Sequence, residues 1–337
     1  MALLSTLSDS SLCASLLSWK TLAVLFAFIN RKSLPLAWTV GIWYNVFRRY
    51  RRDATKFTFE CNNKPLNLKG RATHPVFAAA TVTSYTSLLE TDYNLHKSNS
   101  TYFADMDISR TACVTPLYTP GAGIVSKELD EEIAAAAVAE GKPRPKKTLP
   151  MYIALGGTYC TFKREIKPLE RFQLKSHVAA WDEKWMYIIT YFLKAEKKKG
   201  EGPVLAAIGL SKYCFKKGRL TVPIERVLRA SGYLPERPDA AAVTAGSEKD
   251  ISSTATPGTQ DGLIDTTLDE VKLVEEVSKL GDHAPEVLHK QQKENAAAWT
   301  EEEWSWERIE EQRKKGLEMV HGFISLDNML FEEWKSG

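Results

Sequence analysis

The sequence predicts an α+β fold in which one antiparallel sheet wraps around a central helix. Residues 77–89 are rich in β-branched side chains and predict a strand, and a helical pattern follows from about residue 99. Four further strand patterns then follow one another without a helix between them, in residues 151–166, 172–181, 185–193 and 204–215. The glycine pair at 156–157 predicts a bulge or a close backbone approach in the first of these strands. Consecutive strands favour antiparallel pairing and exclude the strand–helix alternation of doubly wound folds.

Composition restricts the classes of function. The net charge of +3 over 337 residues does not indicate a nucleic-acid partner, and the sequence has no zinc finger and no phosphate-binding glycine loop. The five cysteines are odd in number and scattered, which argues against a disulfide framework and for a reducing, cytosol-facing, intracellular location. No His or Cys cluster has the spacing of metal ligands, so we predict neither a metal nor another cofactor.

Composition also divides the chain into four segments. Residues 1–52 form a hydrophobic and basic lead segment, and residues 75–230 form the main domain, with an insertion at 119–148. Residues 234–265 are rich in small and polar side chains without apolar periodicity, which predicts a disordered linker. Residues 266–337 predict a helical extension.

Local signals predict two helix boundaries. Pro116 and Pro120 are expected to stop the central helix near Thr115, because proline cannot continue the hydrogen-bond ladder. In the C-terminal extension, Thr300 opens a capping box for a helix within residues 294–331.

The lead segment carries two apolar stretches, residues 16–29 and 33–47, separated by Asn30, Arg31 and Lys32. Neither stretch reaches the ~20 apolar residues of a comfortable membrane span. Aromatic side chains followed by a basic cluster, here residues 48–52, are typical of a membrane interface. Residues 16–52 therefore predict association with a membrane surface, as a short anchor or as a helix lying in the interface. The alternative is a pair of helices packed on the domain or on a dimer partner.

The stretch between the first strand and the central helix concentrates polar side chains of catalytic type. It contains Asp92, Asn94, His96, Asn99 and Tyr102. The helix N-terminus offers N–H donors and a partial positive charge, which suit a developing oxyanion. Asp92 can attack a carbonyl directly or take a proton from water, and both roles remain open. His96 is suited to orient Asp92 or a substrate, and the two asparagines to fix the loop or bind water. The alternative is that Asp92 only caps a turn.

This pattern, Asp-x-Asn-x-His-x-x-Asn-x-x-Tyr, resembles the strand-to-helix corner of hotdog-fold thioesterases of the 4-hydroxybenzoyl-CoA thioesterase-like group. Within that group it is similar to the eukaryotic branch that includes fungal thioesterases of secondary-metabolite gene clusters. The resemblance covers about residues 77–223. It implies a hotdog fold, Asp92 as the catalytic carboxylate, and an acyl-CoA or acyl-carrier-protein substrate. It also implies a homodimer whose active site lies between two protomers.

One position departs from the family pattern. Leu95 stands beside the histidine, where many relatives have glycine. This departure bears on the geometry of the loop that carries Asp92.

A basic group at the end of the last strand is a second candidate for substrate binding. Lys212, Lys216, Lys217 and Arg219 lie close together in sequence, and four positive charges are suited to hold the phosphates of CoA. The alternative is a solvated strand end.

Two other functions remain as alternatives. Hotdog hydratases carry Asp-x-Asn-Pro-Leu-His, with the two catalytic groups five residues apart, whereas Asp92 and His96 are four apart and the proline is missing. Hydration of an enoyl-CoA is therefore disfavoured. A non-catalytic acyl-binding or scaffolding role at a membrane is compatible with the lead segment and the C-terminal extension. Gly-x-Ser-x-Gly is absent, which excludes the α/β-hydrolase type of thioesterase.

Overall fold

The computed structural model describes residues 18–54, 56–57, 59, 64–144, 149–196, 200, 202–235 and 305–336. Nearly all of the predicted linker and the capping box at Thr300 lie outside the described residues, as do residues 1–17 of the lead segment.

The described chain folds into five helices and six strands. The helices are α1 (Trp19–Ile29), α2 (Ala37–Arg49), α3 (Thr101–Ala139), α4 (Ile224–Ala230) and α5 (Trp306–Ser336). The strands are β1 (Ala80–Tyr85), β2 (Met151–Phe162), β3 (Arg171–Trp181), β4 (Met186–Lys194), β5 (Val204–Lys217) and β6 (Leu220–Val222).

The strands form one antiparallel sheet in the order β1-β3-β4-β5-β2, with β6 paired to the end of β5. The sheet curls around α3, and this confirms the predicted α+β hotdog fold. The predicted bulge is confirmed as well, because the register of β2 on β5 shifts between Leu155 and Gly157. Apolar side chains of α3 and of the inner sheet face, including Val125, Val178 and Trp181, form the main core.

Helix α3 continues through both of its prolines to Ala139, so the predicted end near Thr115 is wrong. Pro120 has no N–H to donate to the carbonyl of Pro116. Arg51 Nη1 at 3.0 Å and the Tyr233 hydroxyl at 3.2 Å donate to that carbonyl instead. The first part of the insertion predicted at residues 119–148 is therefore a continuation of the central helix.

The two N-terminal helices and the C-terminal helix pack on different sides of this unit. Helix α2 lies on α3, with Gly41 facing the side chain of Ile108. Helix α5 crosses the outer face of the sheet, where Val320 packs against Ala180 and Tyr187. None of the described helices combines the length and the apolar character needed to cross a bilayer.

Candidate active site

The polar stretch lies on a short, closed loop between β1 and α3. A 3₁₀ turn at Leu88–Glu90 opens the loop and is fixed by a capping box between Ser87 and Glu90. Thr91 and Lys97 then form an isolated antiparallel bridge. The backbone N–H of Asp92 donates to the His96 carbonyl at 2.9 Å. The bridge and this bond set residues 92–96 into a narrow turn whose shape is defined by its own backbone.

The Asp92 carboxylate is oriented within this turn. Its Oδ1 accepts a hydrogen bond from the backbone N–H of Asn94 at 2.9 Å, and its Oδ2 lies 3.4 Å from His96 Nδ1. The side chains of Asp92 and His96 are only 19% and 21% exposed. Asn94 acts here through its backbone, and its side chain is exposed. The turn therefore joins the predicted acid and the predicted histidine at a partly shielded site.

The start of α3 lies directly after this turn. The Ser98 carbonyl accepts bonds from the Thr101 N–H at 3.0 Å and from the Thr101 hydroxyl at 2.7 Å. Ser100 is the cap residue and makes no side-chain cap bond, although Ser98 and Asn99 just before it carry side chains of the type that caps helices. Within the described part of the chain, the N–H groups of Asn99 and Ser100 donate no hydrogen bond. Two donors at the positive end of the helix thus remain for an acceptor oxygen.

Tyr102 lies under the loop and is 2% exposed. Its ring centroid is 4.9 Å from those of Phe162 and Phe192. Burial raises the pKa of the Tyr102 hydroxyl, and nearby negative charges, including that of Asp92, raise it further. The hydroxyl is therefore neutral, and the Asp92 carboxylate lies close enough to act on it electrostatically.

The loop presents apolar side chains to solvent around the carboxylate. Leu88, Leu89, Tyr93 and Leu95 are between 42% and 92% exposed. Leu95 has a backbone φ of 59°, in the left-handed region that favours glycine. The sequence departure at this position thus places leucine in a conformation for which glycine is the usual residue.

The predicted phosphate-binding group lies far from the loop within one protomer. One row of the sheet runs through Val82, Leu174, Phe192, Ala207 and Phe162, close to the loop at the end of β1. Lys216 is nine residues beyond that row along β5, which is about 30 Å at ~3.3 Å per residue.

Lys212 is also occupied by another contact. Its Nζ lies 2.5 Å from Asp327 Oδ2 on α5 and 4.6 Å from the centroid of the Trp185 ring. Lys216 is half-buried and Arg219 is exposed near the β5–β6 turn. The described part of a single chain therefore does not bring Lys212, Lys216 and Arg219 to the Asp92 loop.

Sequence reasoning missed the charged groups beneath the loop. Glu90 and Lys97 directly flank the polar stretch and are 7% and 1% exposed, and Asp105 of α3 is 1% exposed. The available signal was the pair of opposite charges on either side of the motif.

No three His, Cys, Asp or Glu side chains of the described residues lie together in a way that could hold a metal ion.

Comparisons with known proteins identify the family of the chain. Residues 87–231 match the family described as the thioesterase-like superfamily. Thioesterase lcsJ of Purpureocillium lilacinum is 32% identical over 335 residues, which cover 95% of this chain and 94% of that protein. The probable thioesterase atnL of Emericella nidulans is 32% identical over 68% of this chain and 76% of its own length.

Among solved structures, the 1,4-dihydroxy-2-naphthoyl-CoA thioesterase Slr0204 from Synechocystis matches 47% of this chain and 99% of its own, with 9% identity and a TM-score of 0.31. The family is established by the curated relatives, since one of them is 32% identical across nearly the whole length of both chains. The chain belongs to the thioesterase-like superfamily and is an enzyme of acyl thioester hydrolysis.

Proposed function

We propose that the protein hydrolyses acyl-CoA or acyl-carrier-protein thioesters, with the Asp92 carboxylate as nucleophile or general base. The observation that carries this proposal is the partly shielded Asp92, held beside His96 and directly before the start of α3. As a nucleophile, the carboxylate forms a mixed anhydride with the acyl group and expels the thiolate, and water then cleaves the anhydride. As a base, it takes a proton from the water that attacks the carbonyl.

The N–H groups of Asn99 and Ser100 are the proposed donors to the thioester oxygen. They lie at the positive end of a 39-residue helix and carry no bond within the described chain. Donors of this kind stabilise negative charge as it develops in the transition state. The exposed side chains of Asn94 and Asn99 and the Tyr102 hydroxyl are proposed contacts for water or substrate.

We propose a homodimer formed through the open edge of β2. Among the described strands, β2 pairs only with β5, so its other edge is available to a second strand. Antiparallel pairing of two β2 edges would set the Met151 end of one sheet beside the Phe162 end of the other. Met151 is level with Lys217, so the basic strand end of the partner would approach the Asp92 end of the first protomer. This arrangement would give the predicted phosphate-binding group a role that it lacks within one chain.

The N-terminal helices are proposed to lie on the cytosolic side of a membrane surface. Apolar side chains along both helices face solvent, and Trp19, Val24, Phe28, Leu36 and Phe47 are each at least 65% exposed. Residues 18–52 contain seven Lys or Arg residues and no Asp or Glu. Apolar area with positive charge favours an anionic bilayer. The exposed loop residues Leu88 and Leu89 lie next to α1, since the Leu89 N–H donates to Asn30 Oδ1.

The test of the reaction compares the wild type with Asp92→Asn on acyl-CoAs of several chain lengths. Loss of the carboxylate is expected to lower kcat by a factor of about 10²–10⁴. The matched control is Glu131→Gln, which removes an exposed carboxylate on α3 and is expected to leave kcat unchanged. Equal rates for wild type and Asp92→Asn would remove Asp92 from the mechanism.

The same preparation separates the alternative functions. Tight acyl-CoA binding without turnover would identify a binding or scaffolding protein, and loss of enoyl absorbance would identify a hydratase.

Light scattering tests the dimer, and a monomer at micromolar concentration would contradict it. Flotation with anionic vesicles tests the membrane proposal, with Phe26→Ser/Phe28→Ser expected to abolish flotation and Leu326→Ser on α5 as the control.

A further inference from the structure

A buried cluster of four charged side chains lies directly under the Asp92 loop. Lys32 Nζ is 2.9 Å from Glu90 Oε1 and 2.6 Å from Asp105 Oδ1. Lys97 Nζ is 2.8 Å from Asp105 Oδ2 and 3.5 Å from Glu90 Oε1. The four side chains are between 0% and 15% exposed. Three parts of the fold therefore meet here: the turn between α1 and α2, the catalytic loop and the central helix.

The turn between α1 and α2 is joined to the loop by further bonds. The Ser33 and Ser87 hydroxyls are 2.5 Å apart, and the Tyr85 hydroxyl donates to the Ile29 carbonyl at 2.9 Å. Lys32 Nζ also donates to the Tyr85 carbonyl at 3.1 Å. These contacts seat the N-terminal helix pair on the same short segment that leads into Asp92.

The charges of the cluster balance. Two lysines face two carboxylates, and the Ser84 hydroxyl donates to Asp105 Oδ1 at 3.0 Å. The rings of Phe172 on β3 and Tyr102 on α3 lie close to the lysines and complete the enclosure. Burial lowers the pKa of Lys97, and the charge of Lys32 acts in the same direction, whereas Asp105 and Glu90 oppose it. A buried cluster of this kind is stable when it is neutral, and removing one partner leaves an uncompensated charge.

The cluster holds the catalytic turn from both sides. Glu90 precedes the turn and Lys97 follows it, and the Ser98 N–H donates to the Glu90 carbonyl at 2.8 Å. Asp92 and His96 lie between these two anchors. A change in the position of Glu90 or Lys97 therefore moves the base of the turn that carries both candidate catalytic groups.

We infer that Lys32 is a positioning residue for hydrolysis: it seats the α1–α2 helix pair against Glu90 and Asp105 and thereby fixes the loop that carries Asp92. The inference rests on the proposed role of Asp92. It makes the N-terminal helix pair an activating element of the catalytic domain, because this ammonium group and the neighbouring Ser33–Ser87 and Tyr85–Ile29 bonds join the pair to the Asp92 loop.

The test replaces Lys32 with methionine and follows kcat and KM across pH 6.0–8.5. Lys32→Met leaves two carboxylates with one lysine, and the cluster regains neutrality by taking up a proton as the pH falls. We expect kcat to drop at least tenfold at pH 8, and the ratio of variant to wild-type kcat to rise as the pH is lowered. Lys69→Met, which removes an exposed lysine outside the cluster, is the control and is expected to match the wild type at every pH.

A second variant restores the charge balance without restoring the lysine. Lys32→Met/Glu90→Gln keeps one lysine and one carboxylate in the cluster. The Ser87 N–H donates to Glu90 Oε2 at 3.0 Å in the wild type, and the glutamine side-chain oxygen can accept the same bond. We expect this double variant to recover most of the kcat lost by Lys32→Met. The single variant Glu90→Gln leaves two lysines with one carboxylate, so its kcat ratio should rise as the pH is raised, opposite to that of Lys32→Met.

The outcomes separate the inference from the proposed function. An inactive wild type, or an Asp92→Asn variant as active as wild type, would contradict the proposed function. Full activity of Lys32→Met at every pH, or the same pH trend for Lys32→Met and Glu90→Gln, would overturn the positioning role while Asp92 remained essential. Should Lys32→Met fail to fold by circular dichroism, the pH trend of Glu90→Gln decides, and a flat ratio overturns the inference.

Discussion

His96 Nδ1 lies 3.4 Å from Asp92 Oδ2 across a turn that is closed by the bond from the Asp92 N–H to the His96 carbonyl. The distance is that of an electrostatic contact, longer than a strong hydrogen bond. The same ring nitrogen also lies 3.4 Å from the Lys97 carbonyl. The imidazole therefore bridges the carboxylate and the backbone at the base of the turn.

Replacing His96 with glutamine tests this bridge. We expect kcat for thioester hydrolysis to fall about tenfold, which corresponds to about 1.4 kcal/mol, with KM nearly unchanged. The reason is that the carboxylate loses an orienting partner while the binding surfaces remain. His321→Gln, on the exposed face of α5, removes the same residue type away from the loop and serves as the control. Equal kcat values for the two variants would contradict the orienting role.

Leu95→Gly tests the strained position in the loop. Leucine at φ 59° costs about 1–2 kcal/mol, whereas glycine costs about 0.5–1 kcal/mol of extra entropy in the unfolded chain. The leucine is 75% exposed, so its loss removes little packing. We expect the free energy of unfolding to rise by about 0.5 kcal/mol, measured by urea denaturation.

Tyr93→Gly is the matched control for this position. Tyr93 is 92% exposed in the same turn and lies outside the left-handed region, so glycine there brings only the entropic cost. We expect its free energy of unfolding to fall by about 0.5–1 kcal/mol. A similar decrease in both variants would show that the backbone at Leu95 is not strained.

Local patterns in the sequence were sufficient for five of the six described strands and for the position of the polar loop. The β3–β4 hairpin and the bulge at Gly157 follow from alternation and glycine content, which act within a few residues. The polar residues from Asp92 to His96 are likewise contiguous, so the sequence alone places them together between the first strand and the central helix. The three-residue strand β6 was missed because so short a segment carries no periodic signal.

Features that depend on distant partners could not be predicted in this way. At Pro120, α3 loses the hydrogen bond to the Pro116 carbonyl, and the donors that replace it, Arg51 and Tyr233, lie 65 and 117 residues from Pro116. The contact of Lys32 with Asp105 spans 73 residues. A single sequence gives no information on such pairs, because each residue alone is typical of a solvated surface.

Two glycines of α5 give a matched test of how this helix docks. A Cβ on Gly316 would lie 1.9 Å from the Ala179 carbonyl oxygen, whereas a Cβ on Gly322 would meet nothing within 4 Å. We expect Gly316→Ala to lower the free energy of unfolding by about 1–3 kcal/mol, because the helix must lift off β3. Gly322→Ala should raise it by up to about 1 kcal/mol through helix propensity.

Urea denaturation and limited proteolysis of α5 measure this difference. Faster cleavage within α5 is expected for Gly316→Ala only. Equal stability of the two variants would mean that α5 does not rest on Ala179 in solution.

The burial of His74 is expected to make the folded protein less stable as the pH falls below neutrality. It is 6% exposed, its ring accepts the Val76 N–H, and burial lowers its pKa to about 3. In the unfolded chain His74 binds a proton below pH ~6.5, whereas in the folded chain its ring stays neutral until about pH 3. Stability is therefore lost as the pH falls through this window, at about 1.4 kcal/mol per pH unit.

His74→Asn removes this titration and retains an oxygen that can accept the Val76 N–H. Between pH 7 and pH 5, we expect the wild type to lose about 2 kcal/mol more of its free energy of unfolding than the variant does. The other ionisable groups, including His177, are the same in both proteins, so their contributions to the pH dependence cancel when the two curves are subtracted. His321→Gln, which removes an exposed histidine on α5 and leaves His74 in place, should keep the steep wild-type dependence. If the free energy of unfolding of wild type and of His74→Asn changed with pH in parallel, His74 would be protonated in the folded protein. That result would contradict a buried neutral ring.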